Sequence, residues 1–205
     1  MLYYTHHAAM IEPPNDLYFK KRLDYSVRGE HFAFDVAHTL FSSFQVDDGT
    51  DLFLRTIDVA PPQHMLDIGC GCGIIGIVLA RLFPEAQVLA SDRDLLAVRY
   101  ARHNALVNAT PNVTVTGSVG FEQIPDQPFD LITANIPAKI GDEAIEHEFI
   151  LDPLARLRPG GSYWFVVVSG LNRLIPKVGV RHNLKLKEAK KRAGYSVYHL
   201  KKPTE

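Results

Sequence analysis

Hydrophobic and polar positions first fall into a regular pattern near residue 23. Leu23, Tyr25 and Val27 alternate with Asp24 and Ser26, and after Gly29-Glu30 the alternation resumes at Phe32, Phe34 and Val36. Period two on both sides of a short glycine-containing turn predicts a β-hairpin. Asp47-Asp48-Gly49-Thr50 then precedes Leu52, Phe53, Leu54 and Ile57, the pattern of a short helix with an acidic or threonine cap. Pro61-Pro62 closes this block, so residues 1–60 read as an N-terminal extension packed on a main domain, residues 61–205.

Past the prolines the period changes. Short apolar runs at 64–68, 87–90, 113–116 and 129–134 predict strands, and residues 74–83 and 94–108 between them predict helices. The second helix places Leu95, Val98, Ala101 and Ala105 on one face. A helical pattern at 142–157 ends at Pro159-Gly160-Gly161, and the wholly apolar run 163–168 follows. This order predicts βαβ units, and hence an α/β fold with a doubly wound, mostly parallel sheet. In the tail, Leu184 and Leu186 alternate with Lys185 and Lys187, and residues 195–200 follow, which predicts two more strands with Lys190, Lys191 and Arg192 in the turn after the first.

Composition narrows the class. A chain of 205 residues with 46% hydrophobic and 22% charged residues is neither disordered nor fibrous. Its two cysteines, Cys70 and Cys72, are too close to frame a fold and suit a reducing compartment. No apolar run reaches the roughly 18 residues that span a bilayer. Residues 1–16 hold His6, His7 and Glu12 and lack a signal peptide's apolar stretch, so a soluble, cytoplasmic protein with a disordered terminus is expected. Charge is split along the chain: residues 1–172 carry 12 Lys/Arg against 21 Asp/Glu, residues 173–205 carry 10 against 2. A basic end on an acidic body suits a nucleic-acid partner, or else a solvated face.

The chemistry concentrates where the first main-domain strand ends, at Asp67-Ile-Gly69-Cys70-Gly71-Cys72-Gly73-Ile-Ile-Gly76. Glycines there let the backbone turn sharply and approach a ligand at a helix N-terminus. Asp92 ends the next strand, where a carboxylate can accept both hydroxyls of a ribose. Nicotinamide-binding loops usually have apolar residues before the first glycine, whereas Asp67 suits a cationic ligand such as S-adenosyl-L-methionine. Cys70 and Cys72 have no partner pair at zinc-ligand spacing, so no metal is expected. Phe41, Phe44 and Trp164 are expected in the core, and His38 is expected packed or solvated.

Leu66-Asp-Ile-Gly-Cys-Gly-Cys-Gly73 with Ser91-Asp92 resembles motif I and the acidic ribose loop of class I S-adenosylmethionine-dependent methyltransferases. The likeness continues through Phe129-Asp-Leu-Ile-Thr-Ala-Asn135-Ile136-Pro137 and Leu157-Arg-Pro-Gly-Gly161. Within the class the chain is similar to the "methyltransferase small" branch, which includes ribosomal small-subunit RNA guanine-N2 methyltransferases; Phe41-Ser42 and Val46-Asp47-Asp48-Gly49-Thr50 match that branch. The resemblance implies a seven-stranded-type sheet that binds S-adenosyl-L-methionine. By the same resemblance Thr50, Asp67, Gly69, Cys70, Gly71, Gly73, Asp92, Arg93, Ser118 and Asn135 would border the cofactor. Asn135 and the carbonyl of Ile136, followed by Pro137, would accept hydrogen bonds from an exocyclic amine.

Ile136 stands where the branch usually has a first proline, Ala138 where a bulkier residue often follows, and Ser118 where relatives often have Asp. These departures bear on substrate and rate. Ribosomal relatives often carry a duplicated domain that helps to grip RNA; here the basic tail or a second copy would serve, in a monomer or homodimer. Lys139, Lys185, Lys187, Lys190, Lys191 and Arg192 are the candidate contacts to ribosomal RNA or the small ribosomal subunit. Three other readings stay open: a protein amide or small-molecule acceptor, a catalytically silent RNA-binding relative, and a nicotinamide-dependent oxidoreductase.

Overall fold

The computed structural model describes residues 13–40 and 44–204, so the expectations for His6, His7, Phe41 and Ser42 lie outside the described residues. Strands β1 (Phe19–Val27) and β2 (Glu30–Ala37) form the expected hairpin. Its two-residue turn has positive φ at both Arg28 (53°) and Gly29 (82°), the geometry that matches strand twist in tight hairpins. Helix α1 (Asp48–Thr56) follows, capped by the Asp47 carboxylate, which accepts from Thr50 N at 3.1 Å. Arg28 donates to the carbonyls of Leu54 and Ile57, closing the other end of that helix.

The main sheet comprises β3 (His64–Ile68), β4 (Gln87–Asp92), β5 (Val113–Gly117), β6 (Phe129–Asn135), β7 (Leu157–Val168), β8 (Lys187–Arg192) and β9 (Tyr195–Lys201). Their order is β5-β4-β3-β6-β7-β9-β8, with β3 to β7 parallel and the last two strands antiparallel. Helices α2 (Ile74–Leu82) and α3 (Leu95–Val107) share one core with the hairpin and α1. On the opposite face, α4 (Asp142–Glu146), a π-helical turn (His147–Leu151), α5 (Asp152–Arg156) and α6 (Leu174–Arg181) cover a second core built around Ile132, Tyr163 and Phe165. The strand order reverses between β3 and β6, so a crevice opens beyond their carboxyl ends. No helix among the described residues is long and apolar enough to cross a membrane.

Local differences from the sequence reading have physical causes. The helix expected at 142–157 is interrupted by the π turn, and pairing of β7 begins at Leu157 rather than at 163. A register skip after Leu157 accommodates Pro159-Gly160-Gly161. Gly161 is required there, because a Cβ would stand 2.9 Å from the Phe129 carbonyl oxygen. Helix α6 was not foreseen. Leu184 and Leu186 lie before β8 and pack against the second core, and Leu186 reaches Gly179 of α6. The strand therefore starts at Lys187, and Lys190, Lys191 and Arg192 lie within it rather than in the turn after it. Trp164 is buried as expected, but Phe44 is 74% exposed. Val46 and Leu52 take the inward positions beside α1, which leaves the Phe44 ring outside under the Lys20 ammonium, 2.9 Å from its centroid.

Candidate functional site

A cavity of about 450 Å³ occupies the crevice beyond β3, β4 and β6. Thr50, Asp67, Gly69, Cys70, Gly71, Asp92, Arg93, Ser118, Asn135, Ile136 and Pro137 all line it, so most of the expected residues converge. Gly73 is not among the lining residues. It ends the loop at the N-terminus of α2 with φ 91°, and a Cβ there would stand 2.9 Å from Ile77 Cδ1 and 3.2 Å from Ala101 Cβ. Its glycine serves helix packing. His38 is solvent-exposed and not part of the cavity. Lys139 is exposed in the loop after Pro137, Lys185 is exposed in the segment before β8, and Lys187, Lys190, Lys191 and Arg192 lie on β8 at the outer edge of the sheet.

Between Asp67 and Gly73 the chain makes a tight reversal. Gly69 and Gly71 have φ 65° and 55°, and nothing lies within 4 Å of where a Gly71 Cβ would be. The backbone there is open to a ligand's close approach. Gly71 N donates to Asp92 Oδ2 (2.8 Å) and Asp94 N to Asp92 Oδ1 (2.9 Å), which orients that carboxylate between two loops. Each oxygen keeps a lone pair for a further donor.

Asp67 is fully buried at the cavity floor. Its register partner on β6, Thr133, donates to Oδ1 at 2.9 Å, and Gly76 N donates to Oδ2 at 3.0 Å. Burial pushes its carboxyl up to about 7, against the lowering effect of those two bonds, and the nearby Asp92 charge adds to the rise. Burial also pushes the Cys70 thiol well up and the Cys72 thiol up to about 12. Both stay protonated at neutral pH and are poor nucleophiles or metal ligands. Among the described residues no group of three His, Cys, Asp or Glu is placed to hold a metal.

At the other end of the cavity, Asn135 ends β6. Its Nδ2 donates to Asp47 Oδ2 (3.1 Å) and Thr50 Oγ1 (3.0 Å), which ties the strand end to the cap of α1. Ile136 is buried and its N–H donates to Val166 O at 3.0 Å, so the position after Asn135 is set by the sheet even with isoleucine there. Among the lining residues not legible from sequence are Glu148 and Phe149, carried by the π turn, and Tyr195, the first residue of β9. A π turn has no signature in a 3.6-residue period, and π turns recur at functional sites. Tyr195 follows the Ala193-Gly194 turn, and nothing in its spacing links it to residues almost 150 positions earlier.

The family model of the methyltransferase small domain matches residues 31–199. The chain belongs to that family. Among members with curated names, it is 34% identical over 141 residues to ribosomal RNA small subunit methyltransferase C of Hahella chejuensis, covering 67% of this chain and 39% of that protein. To the protein of the same name from Pseudomonas entomophila it is 33% identical over 135 residues, 64% of this chain and 40% of that one. The chain thus spans about two fifths of the length of these curated relatives. A structure of a Thermus thermophilus 16S rRNA N2 G1207 methyltransferase with AdoMet and guanosine has a TM-score of 0.76 at 24% identity, over 93% of this chain and 52% of that chain. A Pyrococcus furiosus methyltransferase gives 0.69 at 22%, over 84% and 89%. These two likenesses establish the methyltransferase fold, as the resemblance of the motifs implied.

Proposed function

We propose that this chain is an S-adenosyl-L-methionine-dependent N-methyltransferase acting on guanine N2 of small-subunit ribosomal RNA. The observation that carries the reading is Asn135. Its amide nitrogen is engaged from behind while the residue lines a cavity whose other end is the glycine loop and Asp92. The residues fit the cofactor. Asp67, Asp92 and Glu148 against Arg93 give a lining with excess negative charge, suited to a sulfonium and an ammonium and ill suited to a pyrophosphate. That imbalance disfavours the nicotinamide reading. When bound, the cofactor supplies an electrophilic methyl group.

The chain's own part is positioning. Asp92 would accept the ribose hydroxyls, and the open backbone at Gly69 to Gly71 would lie along the methionine end. Asn135 and the Ile136 carbonyl would accept the two N–H groups of the amine. An aryl amine's lone pair is delocalised into its ring, and two acceptors draw the nitrogen toward tetrahedral geometry and aim the pair along the displacement line. Alignment of this kind supplies several kcal/mol without a strong base. The names of the curated relatives and of the Thermus thermophilus protein support the substrate class. The test is incubation with labelled S-adenosyl-L-methionine and small ribosomal subunits followed by nucleoside analysis. Label in N2-methylguanosine is the expected result, and unlabelled RNA would remove the RNA reading.

Asp67 makes cofactor affinity depend on pH. Its carboxyl sits near 7 because burial opposes its charge, and a bound cation favours the ionised form. Binding therefore releases a proton, and affinity should rise with pH from 6 to 8, by up to about ten-fold per unit below the midpoint. Calorimetry across that range should show the slope in the wild type and a flat profile in Asp67→Asn.

The basic edge supports an RNA partner. Lys187, Lys190 and Lys191 of β8 are exposed, and the strand runs to Arg192, whose register partner is the cavity-lining Tyr195. Arg192 already lies in the field of Asp51, so the three lysines are the better probes. Replacing them by Ser should flatten the log–log salt dependence of RNA binding by roughly two to three units, about one per phosphate contact. Cofactor affinity should not move; an unchanged salt slope would return this edge to solvent.

A further inference from the structure

The carboxamide of Asn135 can present either its oxygen or its nitrogen to the cavity, and the two ends select opposite substrates. What decides is the group behind it. Thr50 Oγ1, at 3.0 Å, is neutral on the question, because a hydroxyl both donates and accepts. Asp47 is not neutral. A carboxylate only accepts, so its Oδ2, 3.1 Å away, pairs with Nδ2 and would face an amide oxygen with no proton between them.

Asp47 is itself held in place. Thr50 N donates to Oδ2 at 3.1 Å as the cap of α1, and the Tyr195 hydroxyl donates to Oδ1 at 2.8 Å. Burial, followed by the bond to Asp47 and its charge, pushes the Tyr195 phenol up to about 12, so it remains a donor. The Tyr195 ring lies directly on Gly49, where a Cβ would come within 2.5 Å of Cδ1. The glycine of the Val46-Asp47-Asp48-Gly49-Thr50 segment is therefore what lets a residue from the far end of the chain reach the cap. Tyr195 on Oδ1 and Thr50 N on Oδ2 fix the plane of the carboxylate, and the remaining lone pair of Oδ2 accepts from Asn135 Nδ2.

We propose that Asp47, seated by Tyr195, fixes the polarity of Asn135 so that the cavity is offered an acceptor oxygen, which selects a substrate bearing N–H groups. Both are positioning residues, acting through Asn135. The selectivity rests on the N-methyltransferase reading, but the amide orientation does not.

Two variants test it with little risk to the fold. Asp47→Ser keeps a good helix cap but replaces the accept-only carboxylate by a shorter hydroxyl that is neutral on amide polarity, and Tyr195→Phe keeps the ring on Gly49. Proton NMR of the nitrogen-15-labelled chain, with the Asn135 amide assigned by its loss in Asn135→Ala, should show side-chain exchange at least about ten-fold slower than that of the exposed Asn183. Asp47→Ser should erase most of that protection and Tyr195→Phe part of it. Fast exchange in the wild type, or protection indifferent to Asp47, would overturn the proposal. In single-turnover methyl transfer, Asp47→Ser should lower the rate by about 10–100-fold with substrate KM and cofactor Kd within about three-fold. The loss should disappear in an Asn135→Ala background, because the two residues act as one unit. Full transfer by Asp47→Ser would also overturn it. A wild-type chain that transfers no methyl would remove the N-methyltransferase reading alone, and protection that depends on Asp47 would still establish the clamp.

Discussion

Asn135→Ala should cut methyl transfer by about 10² or more while leaving cofactor affinity within a few-fold, the pattern of an interaction made mainly in the transition state. The substitution removes the acceptor oxygen and, with it, the partner of Asp47 Oδ2 and Thr50 Oγ1. Thr50 lines the cavity and Asp47 is only half-buried, so both groups can take a water and the local cost to stability should be small. Asp92, by contrast, is held by Gly71 N and Asp94 N at the opposite end, and nothing connects it to Asn135 by a direct bond. Calorimetry with the cofactor and a single-turnover assay on the same preparation separate the two ends. Equal turnover in Asn135→Ala would place the acceptor elsewhere in the cavity.

The contrast between those two ends also explains what was legible in the sequence. Glycines with positive φ, a carboxylate two residues before them and a second carboxylate at the end of the next strand are local constraints. Each is imposed by a strand–turn–helix unit of a few residues, and each leaves a mark in the spacing. The parallel sheet was legible for the same reason, since strands buried on both faces read as unbroken apolar runs. Tyr195 is different. Its role depends on β9 returning antiparallel beside β7 and on Gly49 admitting its ring, neither of which any local pattern encodes. Glu148 and Phe149 reach the cavity through a π turn, which displaces them from the face that a regular helix would give them. Phe44 was misplaced because hydrophobicity alone does not tell which of several apolar residues flanking a short helix will find room inside.

The joint between hairpin and main domain carries the second large effect, because Asp35→Ala should destabilise the protein by about 2–4 kcal/mol. Asp35 is fully buried and accepts from Arg22 Nε and Nη2, both at 2.8 Å, and from His103 Nε2 at 2.6 Å. Removing one member of a buried pair costs about 3–5 kcal/mol, and the partial exposure of Arg22 (28%) and His103 (19%) lowers that figure. The same joint is reinforced by amide pairs that copy a strand edge. Asn104 exchanges bonds with the Asp35 backbone and Asn108 with that of Ala33, one helical turn matched to two strand residues. Burial by itself would raise the Asp35 carboxyl; the bonds from Arg22 and His103 together outweigh it and hold the group below its ordinary 3.8. The contribution is therefore complete above 3.8 and is lost as pH falls through the lower, folded value. Denaturant midpoints should differ most between wild type and Asp35→Ala near neutrality and converge on the acid side. Function should follow at a distance, because the hairpin holds α1 through Tyr25 on Asp51 (2.9 Å) and Arg28 on the Leu54 and Ile57 carbonyls. The cap of that helix is what turns Asn135. A loosened hairpin should thus lower the transfer rate at temperatures where the variant is still folded, with cofactor affinity nearly unchanged; a rate that tracks only the folded fraction would show that the hairpin and the acceptor end of the cavity are independent.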